Sequence, residues 1–440
     1  MDNDISINST TLSTTPKTKT NGRVRPAAAG AIGAIAGLIV GAVGIYGIIK
    51  MTEKPSVCPE CNCPSPVSQA NGLDYSFLKL ETSDSNIIYS PLSIKNGLAL
   101  LNAGANGKTK TEIENVLGNE EIPKYQDIQD KLSLANAVFI RDNFKEKVLS
   151  TYTENVQNNH SGEIFYDSFA NTDNMDNWVK QKTFSLIDSI GIEVNPDLKM
   201  VLANALAIQM DWKHQFDTDN TFGKNFYLKD DSEVEATTMH IETDEEDIKY
   251  FIDDSNTAVS LPLDSTSPDT NLDFVAIMPS GNIDEVIANL DQTKIDNVIN
   301  NMTPTSEPKD GVVINIPKFK FDYSLNFKED LQKLGINSAF NENSADFSNM
   351  ASEGLYVGQA VHNANIDFSE EGIKAAAITV FAMKETSAIE DEVPQPVIIN
   401  IDHPFLFLIR DANNGTIWFT GAVYQPNLWA DDQAAYEESY

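Results

Sequence analysis

The residue types that most often carry chemistry are scarce in this 440-residue chain. It has five histidines and three cysteines, and it contains no Gly-x-Ser-x-Gly elbow, no His-Glu-x-x-His pair and no phosphate-binding glycine loop. Those patterns hold a nucleophile, a metal or a phosphate at a defined spacing, so their absence argues against the common enzyme classes. We therefore predict no catalytic residue, no metal site and no cofactor.

All three cysteines lie in one short run, Cys58-Pro-Glu-Cys61-Asn-Cys63. A structural zinc site usually needs four ligands, and no histidine is near this run in the sequence. An odd number of cysteines outside the cytosol favours an intermolecular disulfide or a free thiol. The cysteine run is therefore one candidate contact of a homodimer, and an ordinary stalk is the alternative.

The most unusual stretch of the chain is residues 367–400. Residues 373–383 contain no glycine, proline or asparagine and have the composition of a strand, yet Gly372 precedes them and Pro394 and Pro396 follow. At a period of two, one face is apolar or nearly so, and Lys374 falls on the other face. This apolar face consists of Ile373, Ala375, Ala377, Thr379, Phe381 and Met383. Such a segment could join an existing sheet without burying a charge.

The excess of acidic over basic residues limits the classes of molecule that the chain could bind. The chain has 31 Lys and Arg against 65 Asp and Glu, a formal net charge of −34. Phosphate backbones need a basic surface, so we predict no nucleic-acid binding. The acidic residues are spread along the chain, which favours a solvated acidic surface over an acidic binding tail.

The N-terminal region predicts a membrane anchor. Residues 1–26 are polar without an apolar period and are predicted to be disordered in the cytoplasm. Residues 27–49 include no charged residue, which meets the length rule for a transmembrane helix. Four basic residues precede this run (Lys17, Lys19, Arg23 and Arg25). The positive-inside rule then predicts a single-pass membrane protein whose main body is extracellular or lumenal.

Gly33, Gly37 and Gly41 recur every four residues in the apolar run. This spacing permits close pairing of membrane helices, so it is a second candidate contact of a homodimer. The alternative is that glycine is simply common in such spans. Residues 50–72, which hold the cysteines and several prolines, are predicted to be a stalk.

From Leu73 onward the sequence has the pattern of a globular α+β domain. A strand before Pro91 leads into a helix, and Thr109 with Glu112 suggests a capping box for the next helix, which ends at Gly118. An amphipathic helix is predicted over 176–190. An almost wholly apolar central strand is predicted over 200–210, in which a buried Asn204 must be hydrogen-bonded. Further predicted elements are strands at 134–141, 274–278, 312–316 and 355–357, a helix at 324–334, and a hairpin joining 405–409 to 416–424.

Six stretches in this region, in this order, resemble the serpin family. They are NIIYSPLSI at 86–94, LANALAIQMDW at 202–212, INIPKFKFDYSLNFKEDLQKLGI at 314–336, SADFSNM at 344–350, VHNANIDFSEEGIKAAA at 361–377 and HPFLFLIRD at 403–411. The resemblance covers residues 73–427, and we place the domain at 73–429 with an acidic tail at 430–440. It implies three β-sheets, about eight helices and an exposed reactive-centre loop at about 370–400.

The resemblance also implies a mechanism. In serpins a protease cuts the exposed loop, which then inserts as a new strand in the large sheet. Fourteen inserted residues would move the attached protease by roughly 46 Å and distort its catalytic geometry. The resemblance places the scissile bond after Thr386, before Ser387. Lys384–Glu385 is the alternative, because Lys384 would suit a trypsin-like protease.

Site residues are carried over from the family by their positions in the matching stretches. The family's polar "shutter" below the opening of the sheet corresponds to Ser90, Ser93, Asn204 and His362, and its "breach" tryptophan to Trp212. The hinge of the loop corresponds to Glu370, Glu371, Gly372, Ile373, Lys374, Ala375, Ala376 and Ala377. Ile373 stands where inhibitory serpins usually have Thr or Ser, and Lys374 where they usually have Glu.

Two functional hypotheses follow. The first is a membrane-anchored inhibitor of serine endopeptidases, or of cysteine endopeptidases, which acts as a suicide substrate and has the target protease as its partner. The second is a non-inhibitory protein of the serpin fold with a binding or surface role. Insertion of the cleaved loop, with a rise in thermal stability, would separate them.

Overall fold

The computed structural model describes residues 34–44, 72–81, 85–118, 121–265, 267, 269–325, 327–372 and 395–426. All of them fall in one compact unit, Ala31–Tyr440. Several predicted features lie outside the described residues. These are Cys58, Cys61, Cys63, Gly33, the loop hinge from Ile373 to Ala377, the two candidate scissile bonds (Lys384, Glu385, Thr386 and Ser387) and the acidic tail.

The described residues form seventeen strands. They are β1 (Ala34–Gly44), β2 (Ile87–Tyr89), β3 (Leu132–Arg141), β4 (Gly162–Asp167), β5 (Leu198–Ile208), β6 (Phe222–Tyr227), β7 (Glu233–Thr243), β8 (Lys249–Ile252), β9 (Asn256–Pro262), β10 (Leu272–Pro279), β11 (Thr303–Pro304), β12 (Val312–Pro317), β13 (Phe319–Leu325), β14 (Leu355–Phe368), β15 (Val397–Asn400), β16 (Phe405–Asp411) and β17 (Ile417–Val423).

Eight α-helices occur in the same residues. They are α1 (Leu73–Leu80), α2 (Pro91–Gly104), α3 (Gly107–Leu117), α4 (Ser150–His160), α5 (Asp173–Lys182), α6 (Ile283–Ala288), α7 (Gln292–Asn300) and α8 (Phe327–Lys333). Short 3-10 turns are at Asp142–Lys147, Thr218–Asn220 and Ser338–Phe340.

Three sheets organise the α+β fold. The large sheet has six strands in the order β13-β14-β1-β5-β3-β4, the second has seven in the order β11-β8-β9-β10-β16-β17-β2, and the third has four in the order β15-β12-β7-β6. Every residue of β5 is buried, as its apolar run predicts for a central strand. The class and the three sheets are confirmed.

Several local signals have the predicted effect. Ser90 caps α2, because its side chain accepts a hydrogen bond from the Ser93 backbone, and Pro91 is at the first helical position. The hairpin between β16 and β17 turns at Gly415, whose φ of 79° suits glycine. Gly118, with φ of 75°, ends α3.

Two helix predictions are wrong in detail. The cap of α3 is Asn106, so Thr109 and Glu112 lie inside the helix. Glu112 accepts hydrogen bonds from the backbones of Asn337 and Ser338 instead, and thereby holds a distant turn. The helix predicted over 176–190 is α5, which ends at Lys182. The next two residues after Thr183 have positive φ angles, and these stop the helix.

The largest difference concerns the apolar run at 27–49. We predicted a helix there, and the structure has the strand β1, which lies between β5 and β14 and runs antiparallel to both. No helix in the described part of the chain is long and apolar enough to span a membrane. The helical pairing face predicted for Gly37 and Gly41 is wrong for the same reason, since both residues are in β1. A sheet slot with two partner strands satisfies the backbone groups of an uncharged segment as well as a helix does.

Candidate functional site: the hinge and the central slot of the large sheet

The hinge begins where β14 ends and is held by the chain that follows β5. The Trp212 N–H donates to the Glu371 carbonyl and the Phe216 N–H donates to the Glu370 carbonyl, each at 3.0 Å. Asp211 and Gly372 form an isolated antiparallel bridge. These main-chain contacts hold residues 370–372 against the segment that follows β5. They lie at one end of the slot, by which we mean the space between β5 and β14 in the large sheet.

Gly372 is at a position that only glycine can occupy without a shift. Its φ is 135°, outside the range that other residues readily adopt. A Cβ atom there would lie 2.4 Å from Asp211 Cα and 2.5 Å from Trp212 N. Both contacts are with backbone atoms, so the close approach of the two chains depends on the missing side chain.

Glu370 anchors the hinge through its side chain. It is 5% exposed, accepts a hydrogen bond from Thr221 Oγ1 at 2.6 Å, and forms an ion pair with Lys318 Nζ at 3.1 Å. Lys318 is itself 6% exposed. Removing either charge would leave the other one buried and destabilise the closed hinge.

Trp212 contacts the start of the hinge, whereas its role as the breach tryptophan stays a prediction. Its indole Nε1 donates to the Ser369 carbonyl at 2.8 Å. Its ring packs edge-on against Phe368, with centroids 5.2 Å apart, and against Phe274 at 6.0 Å. The indole therefore couples the end of β14 to the aromatic core through one hydrogen bond and two ring contacts.

The hinge carries unfavourable negative charge. Burial raises the pKa of Glu371, and the nearby carboxylates of Glu370 and Asp211 raise it further. Burial also raises the pKa of Asp367, although its hydrogen bond with Lys320 opposes the effect. The carboxylates of Asp367 and Glu371 lose favourable solvation while residues 370–372 are held against the segment after β5. Release of the hinge from that segment, which we call opening, would recover part of this solvation free energy.

Halfway along the slot, the four predicted shutter residues lie together. The Ser90 N–H donates to His362 Nε2 at 3.2 Å, and the Ser93 hydroxyl donates to the Asn204 side chain. Asn204 donates in turn to Asn136 Oδ1 at 2.8 Å. The prediction that a buried Asn204 is hydrogen-bonded is confirmed. The network joins α2 to the strands on both sides of the slot, whereas its role as a shutter stays a prediction.

The slot itself is filled by β1. Leu38 pairs with His362 on β14, and Ile39 pairs with Ala203 on β5. β1 therefore lies beside the polar network, between the strands that carry His362 and Asn204. β1 thus forms ladders with residues 198–208 of β5, except 199, 204 and 205, and with residues 355–365 of β14, except 358.

Sequence reasoning missed three partners of the site, namely Asn136, Thr221 and Lys318. Asn136 pairs directly with Asn204 across β3 and β5, so a second polar residue in an apolar strand was an available signal. Thr221 and Lys318 carry no comparable signal, because each reaches Glu370 from a distant part of the chain.

A cluster of possible metal ligands lies near the hinge, and its members already bond to one another. His214, Glu245 and Asp247 offer ligand atoms within 4.8 Å of one another. However, the two ring nitrogens of His214 face different carboxylates, Nε2 at 2.8 Å from Asp247 and Nδ1 at 3.6 Å from Glu245. Lys213 also bonds to Asp247. The arrangement is that of an ion-pair network, in which one cation could not use both nitrogens.

Comparison with known proteins agrees with this geometry. A family model described as "Serpin (serine protease inhibitor)" matches residues 74–426. An "Uncharacterized serpin-like protein" of Methanosarcina acetivorans is 30% identical over 376 residues, which are 80% of this chain and 83% of that protein. Iripin-2 of Ixodes ricinus is 30% identical over 369 residues, which are 77% and 88% of the two chains.

Solved structures give the same fold. The native state of tengpin, a thermophilic serpin, has a TM-score of 0.66 at 23% identity and covers 81% of this chain and 93% of that one. Thyroxine-binding globulin in complex with thyroxine also has a TM-score of 0.66, at 25% identity, and covers 81% and 96%.

Proposed function

Because the chain belongs to the serpin family, we propose that it is a single-use inhibitor of serine endopeptidases. The protease cuts the reactive loop and remains attached as an acyl-enzyme. The loop then enters the large sheet beside β14, and the displacement removes the protease from its catalytic geometry. No catalytic side chain of the inhibitor is needed.

The observation that carries this proposal is the hinge. Serine and cysteine proteases cut many exposed loops. An inhibitor therefore differs from a substrate in whether the cleaved loop inserts into the large sheet. Here the loop leaves β14 through Gly372, beside the slot and the buried Glu370–Lys318 pair. Once β1 has left the slot, a chain fastened in this way can fold back along β14 without crossing another strand.

The experiment is a protease panel. The full-length protein is incubated with serine and cysteine proteases, and the products are separated on a denaturing gel. We expect a covalent complex with at least one serine protease and a released C-terminal fragment that begins at Ser387. A fragment beginning at Glu385 would move the scissile bond to Lys384. Efficient loop cleavage without a complex from any protease would contradict the inhibitory function.

One observation favours the second candidate, a non-inhibitory binding protein. The slot that the loop would enter already holds β1. In a chain where β1 never leaves, the loop would be cut and would stay outside the sheet. The structural relative thyroxine-binding globulin was solved in complex with thyroxine, so a protein of this fold can also bind a small ligand. A complex in the protease panel would decide against this candidate.

Membrane attachment is proposed as a second conformation of residues 27–49, in which they form a membrane-spanning helix instead of contributing β1 to the sheet. Residues 27–49 contain no charge, yet 34–44 cannot be a strand of the sheet and a spanning helix together. Protease protection of vesicles, with a tag at each end of the chain, tests this state and its predicted orientation. Two tags on the cytoplasmic side would contradict the orientation. Dimerisation through Cys58, Cys61 and Cys63 stays a prediction.

A further inference from the structure

β1 has the position and direction that an inserted loop would need. It is paired with β5 on one side and β14 on the other, and it is antiparallel to both. A loop that folds back from the end of β14 must also run antiparallel to β14 in that slot. We propose that Ala34–Gly44 is a placeholder strand, which fills the large sheet of the intact protein and must leave before the cleaved loop enters. The proposal rests on the proposed function only in assuming that the loop inserts.

The register shows that the two segments need the same backbone groups. Ser369 and Gly372 form the bridge that begins the turn after β14. Extending an antiparallel ladder from that bridge, one residue at a time, brings Thr379 opposite His362. In the structure His362 is already the partner of Leu38. β1 pairs with residues 355–365 of β14, so the placeholder strand and the inserted loop exclude each other over that stretch.

The composition of the two segments favours replacement of β1 by the loop. β1 has glycine at three of its eleven positions, Gly37, Gly41 and Gly44. Its ladder shifts register beside β14 between Gly41 and Ala42, and beside β5 between Ala42 and Val43. Residues 373–383 contain no glycine. Glycine weakens a strand through its backbone entropy and its missing side chain, so the loop should form the more stable ladder.

The way the two segments are joined to the rest of the chain also favours replacement of β1 by the loop. The loop is joined to β14 through a short turn, so its effective concentration at the slot is high once cleavage frees its far end. Residues 45–71 separate β1 from the described start of the domain, so β1 can leave without unfolding α1. Together, these features describe a strand that is stable enough to close the sheet and that can still be displaced.

A disulfide pair tests whether β1 is in the slot. In full-length protein with Cys58→Ser, Cys61→Ser and Cys63→Ser, the pair Val40→Cys and Ala360→Cys joins direct ladder partners. Such partners have Cα atoms about 4.5–5.5 Å apart, within the range that a disulfide bridges. The matched control pairs Val40→Cys with Ala364→Cys, four positions along β14, or about 13 Å away.

We expect rapid oxidation of the in-register pair, detected as a cross-linked peptide by mass, and no cross-link in the control. A control that oxidises equally well, or an in-register pair that stays reduced, would overturn the placement of β1.

The same variant tests displacement. While the cross-link is closed, loop cleavage should leave the Tm unchanged and give no covalent complex with the protease. After reduction, cleavage should raise the Tm. A rise in Tm with the cross-link closed would overturn the exclusion, and an unchanged Tm after reduction would overturn the replacement of β1 by the loop.

The proposed function fails separately. If the Tm rises after reduction and no protease forms a complex, the placeholder strand stands and the inhibitory function is wrong.

Discussion

At the residue scale, Gly372 makes the sharpest prediction. Gly372→Ala should lower the Tm, because the new Cβ meets Asp211 and Trp212 backbone atoms and the φ of 135° is strained. Strained backbone positions cost on the order of 1–3 kcal/mol, and the clash adds to that. The matched control is Gly335→Ala, which has a φ of 114° and nothing within 4 Å of its Cβ. Equal losses of Tm in the two variants would contradict the close approach at the hinge.

Glu371 gives a pH-dependent prediction. Its pKa in the folded protein is raised above the ordinary 4.5, so the folded state binds the proton more tightly than the unfolded chain. Stability from this group is therefore present below pH 4.5 and is lost as the pH rises through the folded pKa. Glu371→Gln lacks that loss, so its Tm should exceed that of the parent at pH 7 and match it near pH 4.

Thermal unfolding of both proteins between pH 4 and pH 8 measures this difference. The control is Glu242→Gln, which makes the same carboxylate-to-amide change at a side chain that is 81% exposed. A Glu371→Gln variant that is less stable than the parent at pH 7 would show that the charge is needed in the closed hinge.

The residue scale also shows what a sequence can predict about a site. Asn204 is a polar residue in the interior of an apolar strand, and burial of an amide requires a partner, so its hydrogen bond was predictable. Lys318 resembles any other lysine in the sequence, and only the folded chain brings it to Glu370. Residues whose role depends on one distant partner carry no local signal.

At the scale of elements, the loop strand makes the next prediction. Ala375 is on the face that would be buried after insertion, and Ala376 is on the other face. Ala375→Arg should convert the inhibitor into a substrate, because a buried charge slows insertion and the acyl-enzyme then hydrolyses. Ala376→Arg is the control and should inhibit like the parent. The ratio of complex to cleaved protein on a denaturing gel measures both, and equal ratios would contradict insertion by this face.

Element boundaries followed local chemistry where that chemistry was decisive. Pro91, Gly118 and the turn at Gly415 ended or joined elements as predicted. β1 was predicted as part of a membrane helix, because the uncharged run at 27–49 meets the length rule for a span, whereas the strand uses only 11 of its residues. The segment is a strand because β5 and β14 leave room for one between them. That space depends on the folded sheet and has no signal in the local sequence.

At the scale of the whole molecule, the central claim is that the large sheet exchanges one strand for another. The intact protein holds the glycine-rich β1, and the cleaved protein should hold the glycine-free loop. Three fewer glycines favour the second state by about 1.5–3 kcal/mol, at ~0.5–1 kcal/mol each. The exchange moves the end of the cut loop across the length of the sheet.

The most direct test is the thermal unfolding of full-length protein before and after its loop is cut by a protease that is not trapped. Mass spectrometry confirms a single cut within residues 373–394. We expect the two fragments to remain associated and the Tm to rise by several degrees, because the loop has replaced β1 in the sheet. An unchanged Tm, with the loop fully cut, would contradict strand exchange and leave the chain as a serpin that does not insert its loop.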